Sequence, residues 1–453
     1  MMSSFMVSPS TPTGYNRRIE LAGMDLWLPN RIDNVYVYPG EINIDQLRQA
    51  LSQTLSLWPF VAGRILLEND ENYIIEMCDN AIPITVVVNH DLKEWPFNEN
   101  VIIEADDQLF PTFLDEVPIS KLLPNSLNEP LVRLKLTQIV QSNEWVLGIS
   151  WYHALGDADA CLHFSHALSQ MYQRMESTLP KPIFERRLWR EHEVQPPILP
   201  IPKQFIDTKP KEEYAEIGHD FNANYAPLNL HFSGEQLARL QTLAGGNNVS
   251  RNDALTAYIA LTLNRNCYAS DDERRILHTV TVVNCRGIDD SIAPRGEVSN
   301  ALFMLLSDDF DQPDSLSNIA QTIRRSLVKL RSLKTLGNEI ATIDRKMREN
   351  TKMDRTPNPK RIPHELAVNS NYRYDWAGLV NFGYKDQCRF YTPGSIPLYL
   401  RIFRLNPKKF ENAWIPRDRH GAEVSFRLEK NFIEPFLNAW KRDVSENFQN
   451  ISK

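Results

Sequence analysis

The sequence predicts a two-domain α/β protein (mixed-sheet α+β) on three observations. Its 453 residues exceed the roughly 250–300 at which a single hydrophobic core stops growing. Short runs rich in β-formers alternate with runs of 3.6-residue periodicity along most of the chain. Between two such halves lies a long irregular stretch punctuated by prolines from Pro180 to Pro227. Stretches of that kind are linkers or functional loops. The expected division is a first domain over 1–185, a crossover over 186–226 and a second domain over 227–453.

Residues 1–15 are Ser/Thr/Pro-rich without the apolar centre of a signal peptide, and read as a loose lead-in to a soluble, cytosolic chain. Val35-Tyr-Val-Tyr38 is a short strand. Asp45 is placed to cap a helix carrying Leu47, Leu51 and Leu55, which ends before Pro59. Residues 61–67 and 73–78 flank a turn-forming Asn-Asp-Glu-Asn as a hairpin, and 84–88 form another strand. No structure is assigned to 90–125. Leu131 to Thr137 alternates cleanly and pairs with 145–152 across a polar turn.

The second half opens with a strand at 228–232 and a helix from Ser233 that stops at Gly245-Gly246. Ser250 with Asp253 three residues on is a helix start. Strands follow at 278–284 and 300–306, then an amphipathic helix from Ser315 to Lys334. The charged stretch 344–362 reads as a solvated helix end and loop. Residues 379–405 read as strand, Pro-Gly loop and strand, 422–428 as a last long strand, and Phe432, Phe436 and Trp440 mark a terminal helix.

Apolar content of 42% and aromatic content of 10% are ordinary for a globular protein. A net charge of −7 without any dense Lys/Arg run argues against nucleic-acid binding. The five cysteines (78, 161, 267, 285, 388) are scattered and form no C-x-x-C, which suits free thiols in a reducing compartment and gives no zinc pattern. No run approaches the roughly 20 apolar residues of a membrane span. His163 and His166 lie three apart on one helix, too few ligands for a metal site.

Chemistry concentrates at Trp145-Val-Leu-Gly-Ile-Ser-Trp-Tyr-His-Ala-Leu-Gly-Asp157. The alternation of Trp145, Leu147, Ile149 and Trp151 makes it a half-buried strand, and Cys161, Phe164, Leu168, Met171, Tyr172 and Met175 have the spacing of a helix face. His153 therefore stands at a strand end, and Asp157 at a helix start where a carboxylate is favoured. A lone His is usually structural and an Asp before a helix is usually an N-cap, so this stretch alone does not decide for catalysis.

Seven fragments in order settle more. His153-Ala-Leu-Gly-Asp157 is a complete H-x-x-x-D, and Asn381-Phe-Gly-Tyr-Lys385 keeps Phe and Gly of a D-F-G-W-G. Met24-Asp-Leu-Trp-Leu-Pro-Asn30 with Val35-Tyr-Val-Tyr38, Ala62-Gly-Arg64, Asn284-Cys-Arg286, Ser299-Asn-Ala301 and Pro393-Gly-Ser-Ile-Pro397 complete the set. In this the chain resembles the BAHD-type, acyl-CoA-dependent acyltransferases, over roughly residues 20–440. Its opening and its Pro-Gly-x-Ile-Pro segment look most like the hydroxycinnamoyl transferase branch.

The resemblance implies two chloramphenicol-acetyltransferase-like domains with a channel between them, and a return of the segment about 385–405 to the first domain. It implies transfer of an acyl group from acyl-CoA to a small-molecule alcohol or amine by a monomer, without a permanently bound cofactor or metal. His153 would be the general base, and Asp157 would turn away from it to pair with Arg286. Ser370 or Tyr372 would supply an oxyanion donor, Ser250 would lie near CoA, and Asn381 and Gly383 would be structural. The departures at Asn381, Tyr384 and Lys385 put the second motif's ion pair in doubt. Two other readings stand beside this one: acyl transfer from a carrier protein, and a non-catalytic relative that binds CoA or another ligand. The double-His, Asp-Gly form of condensation domains is absent, since Tyr152 and Ala158 flank the motif.

Overall fold

A computed structural model describes residues 2–12, 17–26, 30–68, 72–105, 107–118, 129–176, 178–210, 223–332, 336–357, 362–410 and 413–451. Trp27, Leu28 and Pro29 of the Met24–Asn30 fragment, and the middle of the predicted hairpin turn at 69–71, lie outside the described residues.

Two large mixed sheets carry the fold. The first runs Met2–Val7, Ile82–Asn89, Val132–Ile139, Glu144–Tyr152, Arg31–Tyr38, Arg389–Pro393, Ile102–Ile103. The second runs Tyr225–Phe232, Ala422–Glu429, Tyr399–Arg404, Glu365–Ser370, His278–Asn284, Leu302–Leu306. A smaller sheet holds Arg17–Glu20, Asn72–Met77 and Arg64–Glu68. Helices Ile44–Leu57 and Ala158–Tyr172 cover one face of the first sheet, where Trp58 meets Phe164 and Phe164 meets Trp151. Trp95, Phe110 and Phe113 cover part of the other face.

The sheets are interlocked by exchange. Arg389–Pro393 leaves the second half to pair antiparallel with Arg31–Tyr38, and Tyr399–Arg404 returns to the second sheet. Glu423, 1% exposed, reaches the other way from the second sheet. Its carboxylate accepts the Val101 and Ile102 amides at 2.7 and 3.0 Å, with Ser425 Oγ and His231 Nε2 also in contact. Arg427 pairs with Glu104 alongside.

Several expectations are corrected. The N-terminal segment is an edge strand, with Val7 buried, Phe5 packed on the core and Arg48 over the Phe5 ring. A six-residue strand half open to water has too weak an alternation to stand out. The helix at 44–57 is capped by Asn43, whose side chain accepts the Gln46 amide at 2.9 Å, and Asp45 instead pairs with Arg48 in the first turn. Val61 and Ala62 are helical, not strand. The stretch 90–125 contains the strand Ile102–Ile103 and a turn at Phe110–Phe113. The charged stretch from 344 belongs to a helix over Leu336–Lys352 that buries Glu339 and Asp344, since each finds backbone N–H donors or an arginine. Met175 falls beyond its helix and is exposed. Leu379 ends the short helix Trp376–Leu379 and Phe382 and Gly383 lie in a turn, so the strand begins only at Arg389.

Replacing Glu423 with Ala leaves the Val101 and Ile102 amides buried without an acceptor. At about 1–3 kcal/mol for each of the two orphaned groups, the expected loss is about 2–6 kcal/mol, read from the midpoint of urea unfolding.

Candidate active site

The strand Glu144–Tyr152 lies near the middle of the first sheet, so its end is fixed by neighbours on both sides. His153 begins a single 3-10 turn, His153–Leu155, and helix Ala158–Tyr172 starts two residues beyond it. The His153 amide donates to the Asn30 carbonyl at 2.9 Å, the Gly156 amide to the His153 carbonyl at 3.1 Å, and Trp151 Nε1 to the Gly156 carbonyl at 2.9 Å. Gly156 has φ 155° and ψ 170°, a region essentially reserved for glycine. A Cβ there would stand 2.7 Å from Ala160 Cβ and 3.0 Å from the Ser299 carbonyl oxygen. The turn is thus backed directly by a segment from the second half of the chain.

That segment is held by Arg286. Its Nη1 donates to Asp157 Oδ2 at 2.7 Å, its Nε to the Glu297 carbonyl at 2.7 Å and its Nη2 to the Ser299 carbonyl at 2.6 Å. Asp157 and Arg286 side chains are only 4% and 3% exposed. Burial alone would lower the Arg286 pKa, but the Asp157 and Asp159 carboxylates hold it above the ordinary arginine range. The other Asp157 oxygen accepts the Ala160 amide at 3.2 Å as the helix N-cap. Both carboxylate oxygens therefore have partners other than the His153 ring.

A second buried pair supports the turn from its other side. Arg186 Nε lies 2.6 Å from Asp25 Oδ2, each side chain 1% exposed. The guanidinium sits 4.6 Å from the Phe60 ring centre and donates to the Leu155 carbonyl at 3.0 Å. Asp25 Oδ1 accepts the Asn300 amide at 3.0 Å and Asn300 Nδ2 at 3.1 Å, and the same Nδ2 donates to the His153 carbonyl at 2.8 Å. A shallow cleft lies on this side, walled by Met24, Asp25, Arg186, Trp189, Asn300 and Asp344, and not by His153.

His153 is partly buried. Burial pushes its imidazole pKa below the ordinary 6.5, against the opposing pull of Asp157, its own carbonyl, the Asn300 carboxamide and Asp25. The ring is neutral at neutral pH, with a lone pair available for a proton.

Of the residues singled out from sequence, the structure gathers His153, Asp157 and Arg286. Ser370 ends the strand Glu365–Ser370, and its Oγ accepts the Tyr372 amide at 3.4 Å. Tyr372 directs its hydroxyl at the His420 carbonyl, 2.6 Å away. Ser250 caps helix Arg251–Asn266 in a capping box with Asp253, whose carboxylate also receives Arg324, so this helix start already has an anion of its own. Asn381 closes its own turn, accepting the Gly383 amide at 2.9 Å and donating to the Gly378 carbonyl at 2.6 Å. Gly383 takes φ 99° there. Phe382 packs edge-on against Tyr38 and at a tilt against Tyr172, and its amide donates to Ser169 Oγ at 3.0 Å. Asn381 and Gly383 thus shape a joint between the chain and helix Ala158–Tyr172.

Asp25, Asn300 and Arg186 were not picked out from sequence as site residues. The first two lie inside quoted fragments, and that was their signal. Arg186 has none, because a single arginine in a charged, Pro-rich stretch looks solvated. Tyr374 was missed too: its hydroxyl accepts Asn284 Nδ2 at 3.0 Å, and burial with the Asp159 and Asp157 charges raises its pKa. Among the described residues no group of three or more His, Cys, Asp or Glu side chains is placed to hold a metal, and His166 Nδ1 is engaged with the Leu379 carbonyl at 2.6 Å.

Residues 1–391 match the Transferase family. The chain belongs to that family, the BAHD acyltransferases. It is an acyl-CoA-dependent acyltransferase. Its fold is that of vinorine synthase, with a TM-score of 0.63 at 17% identity over 96% of each chain. Fusarium (F. graminearum) TRI101 complexed with coenzyme A and T-2 mycotoxin gives 0.59 at 14% identity, over 95% of this chain and 98% of that one. F. sporotrichioides TRI101 complexed with coenzyme A and T-2 gives 0.60 at 15%, over 94% and 99%. No curated protein matches the sequence significantly. The architecture is therefore the two-domain, chloramphenicol-acetyltransferase-like fold.

For this transferase, Asp157→Leu strands the Arg286 charge in the interior, and Arg286→Met strands Asp157. Each single change should cost about 3–5 kcal/mol, whereas removing both together should cost less than either alone. Urea unfolding of the three variants checks this.

Proposed function

We propose that His153 is the general base by which this transferase moves an acyl group from acyl-CoA to a hydroxyl or amine of a small molecule. The observation that carries the reading is the placement of His153: a ring kept neutral by burial, on a turn pinned at its carbonyl and amide, with Asp157 engaged elsewhere. The imidazole takes the proton of the acceptor O–H or N–H as that atom attacks the thioester carbonyl carbon. The tetrahedral intermediate places its negative charge on the former carbonyl oxygen, which needs a donor about 3 Å away. Collapse breaks the C–S bond, and the CoA thiolate receives the proton from the imidazolium. No acyl-enzyme and no permanently bound group enters this sequence.

In this reading Ser370 or Tyr372 supplies the oxyanion donor; Ser370 Oγ accepts the Tyr372 amide, and the Tyr372 hydroxyl already donates to the His420 carbonyl. The TRI101 structures hold coenzyme A together with T-2 or deoxynivalenol, which supports a CoA thioester and a small hydroxylated acceptor as the substrate classes. The altered second motif does not count against turnover, since Asn381 closes its loop through neutral hydrogen bonds. No helix among the described residues is long and apolar enough to cross a membrane, and we take the working unit to be a monomer in the cytoplasm.

Thiol release from acetyl-, malonyl-, benzoyl- and coumaroyl-CoA against mixed alcohols and amines tests the proposal. Release that requires an acceptor, and that falls by about 10²–10⁴-fold in His153→Ala, is the expected result. If wild type and variant are equally active, His153 is not the base. If both are silent while CoA still raises the melting temperature, the chain binds and does not transfer.

The pH profile is a separate check. A base must be unprotonated, and burial lowers the His153 pKa. As pH falls, kcat/KM should drop with an apparent pKa below the ordinary imidazole value of about 6.5.

A further inference from the structure

We propose that Arg401 is a substrate-binding residue that takes a carboxylate carried by the acceptor or by the acyl group. The proposal rests on the reading of the chain as a transferase working at His153. Arg401 lies in the strand Tyr399–Arg404, opposite Ser425 on one neighbour and Asn369 on the other. Alternation puts its side chain on the face of Phe403 and Glu423, away from Leu400 and Ile402, which pack in the second-half core. That face is turned to the first half: Phe403 joins the first-half core, and Glu423 reaches Val101 and Ile102. Yet Asn369, Tyr399 and Arg401 are only half-buried there. Neighbouring side chains that keep contact with solvent on a covered face mark a gap between the two sheets.

The gap lies towards His153. The first sheet pairs Tyr391 with Val35 and Arg31 with Tyr152, so the strand Arg389–Pro393 runs to the end at which His153 stands. Two strand spacings, about 10 Å, separate its exit from the end of Glu144–Tyr152. Arg401 holds that exit. Its Nη1 donates to the Pro393 carbonyl at 2.6 Å and to the Gly394 carbonyl at 2.7 Å.

Those two contacts use both Nη1 protons and fix the guanidinium, whose carbon lies 5.4 Å from the Phe403 ring centre. Nη2 has one long contact, to Thr392 Oγ1 at 3.4 Å, and Nε has no partner among the described residues. The Nε–Nη2 edge, whose two parallel N–H groups match a carboxylate, is therefore the free one. No carboxylate of the described residues pairs with Arg401, and Glu423 has its oxygens engaged by Val101, Ile102, Ser425 and His231. Burial pulls the Arg401 pKa down to about 10, against Tyr399 and Glu423, so the group is still a cation at neutral pH. A cation so placed and held only by carbonyls is unfavourable, and a substrate carboxylate would supply the missing charge. Clamping Pro393 and Gly394 needs Nη1 alone.

Isothermal titration of the full-length protein reads the preference without turnover. Lactate, mandelate and para-hydroxyphenylacetate, each against its primary amide and with CoA present, test the acceptor. Malonyl-CoA against acetoacetyl-CoA tests the acyl group. In one of these two arms the wild type should bind an acid at least about tenfold more tightly than its neutral partner. No preference for an acid in either arm overturns the proposal.

Arg401→Gln removes the charge and keeps a donor for the clamp. It should weaken the preferred acid at least about tenfold and its neutral partner less than about threefold. A surviving preference overturns the proposal. So does an equal loss for acid and neutral partner, which a role confined to the clamp predicts, and so does an equal weakening of all acyl-CoAs, which would assign Arg401 to the CoA phosphates. Where Arg401→Gln does not fold, Arg401→Lys keeps the charge without the fork and should reduce the preference; an unchanged preference there overturns the proposal as well. If the wild type transfers nothing, the assignment of His153 as base falls, and the binding preference still decides on Arg401.

Discussion

The Arg286 guanidinium is the interaction on which the site depends. It lies just past the strand His278–Asn284 of the second sheet, yet its nearest charge, Asp157, caps a helix that follows the central strand of the first. The fork geometry of arginine lets one side chain hold a carboxylate and two carbonyls at once. Those carbonyls, of Glu297 and Ser299, belong to the segment that presses on Gly156. A lysine could not span the three acceptors. The presentation of His153 is in this sense a property of both halves, not of the strand that ends in it.

The exchange of Arg389–Pro393 into the first sheet has the same logic. A contact of two surfaces can slide, whereas a strand in register with Arg31–Tyr38 cannot shift without breaking its ladder. The turn at Asn381–Tyr384 feeds this strand and is fastened to Tyr38, Tyr172 and Ser169. Replacement of the motif's aspartate by Asn381 costs the chain a charge but not a fold, because the contacts that remain are aromatic packing and backbone hydrogen bonds. Tyr384 keeps an anchor by donating to the Glu41 carbonyl at 2.9 Å.

Legibility followed the range of the forces. Elements with strong local periodicity, such as Val132–Ile139, Glu144–Tyr152 and Arg251–Asn266, could be read from alternation or a capping box. The strand Met2–Val7 could not, because only Val7 is fully buried and its pairing partner lies some eighty residues on. Asp45 reads as the cap from sequence, but Asn43 has the extended backbone and accepts the Gln46 amide. At the site, His153 was visible because a strand pattern ends on it, and Arg286 because a quoted fragment ends on it. Asp25, Arg186 and Asn300 owe their roles to contacts across 31 to 275 residues of sequence, and such contacts leave no periodic trace.

The charges around His153 then explain its ionisation. Asp157 faces Arg286 and Asp25 faces Arg186, each pair buried and close. Glu297, whose carbonyl Arg286 binds, has its carboxyl pKa pushed up by burial, against the opposing hydrogen bond from Ser299 Oγ. Two matched pairs present dipoles, not net charges, and dipole fields fall off faster than those of single ions. The carboxylates still pull the imidazole towards its cation, but less than unpaired ones would, and burial prevails. Without either arginine, the stranded carboxylate would pull the imidazole further towards its cation. The two guanidiniums thus serve the chemistry as well as the fold: they keep negative charge close enough to order the turn while leaving the ring free to accept a proton.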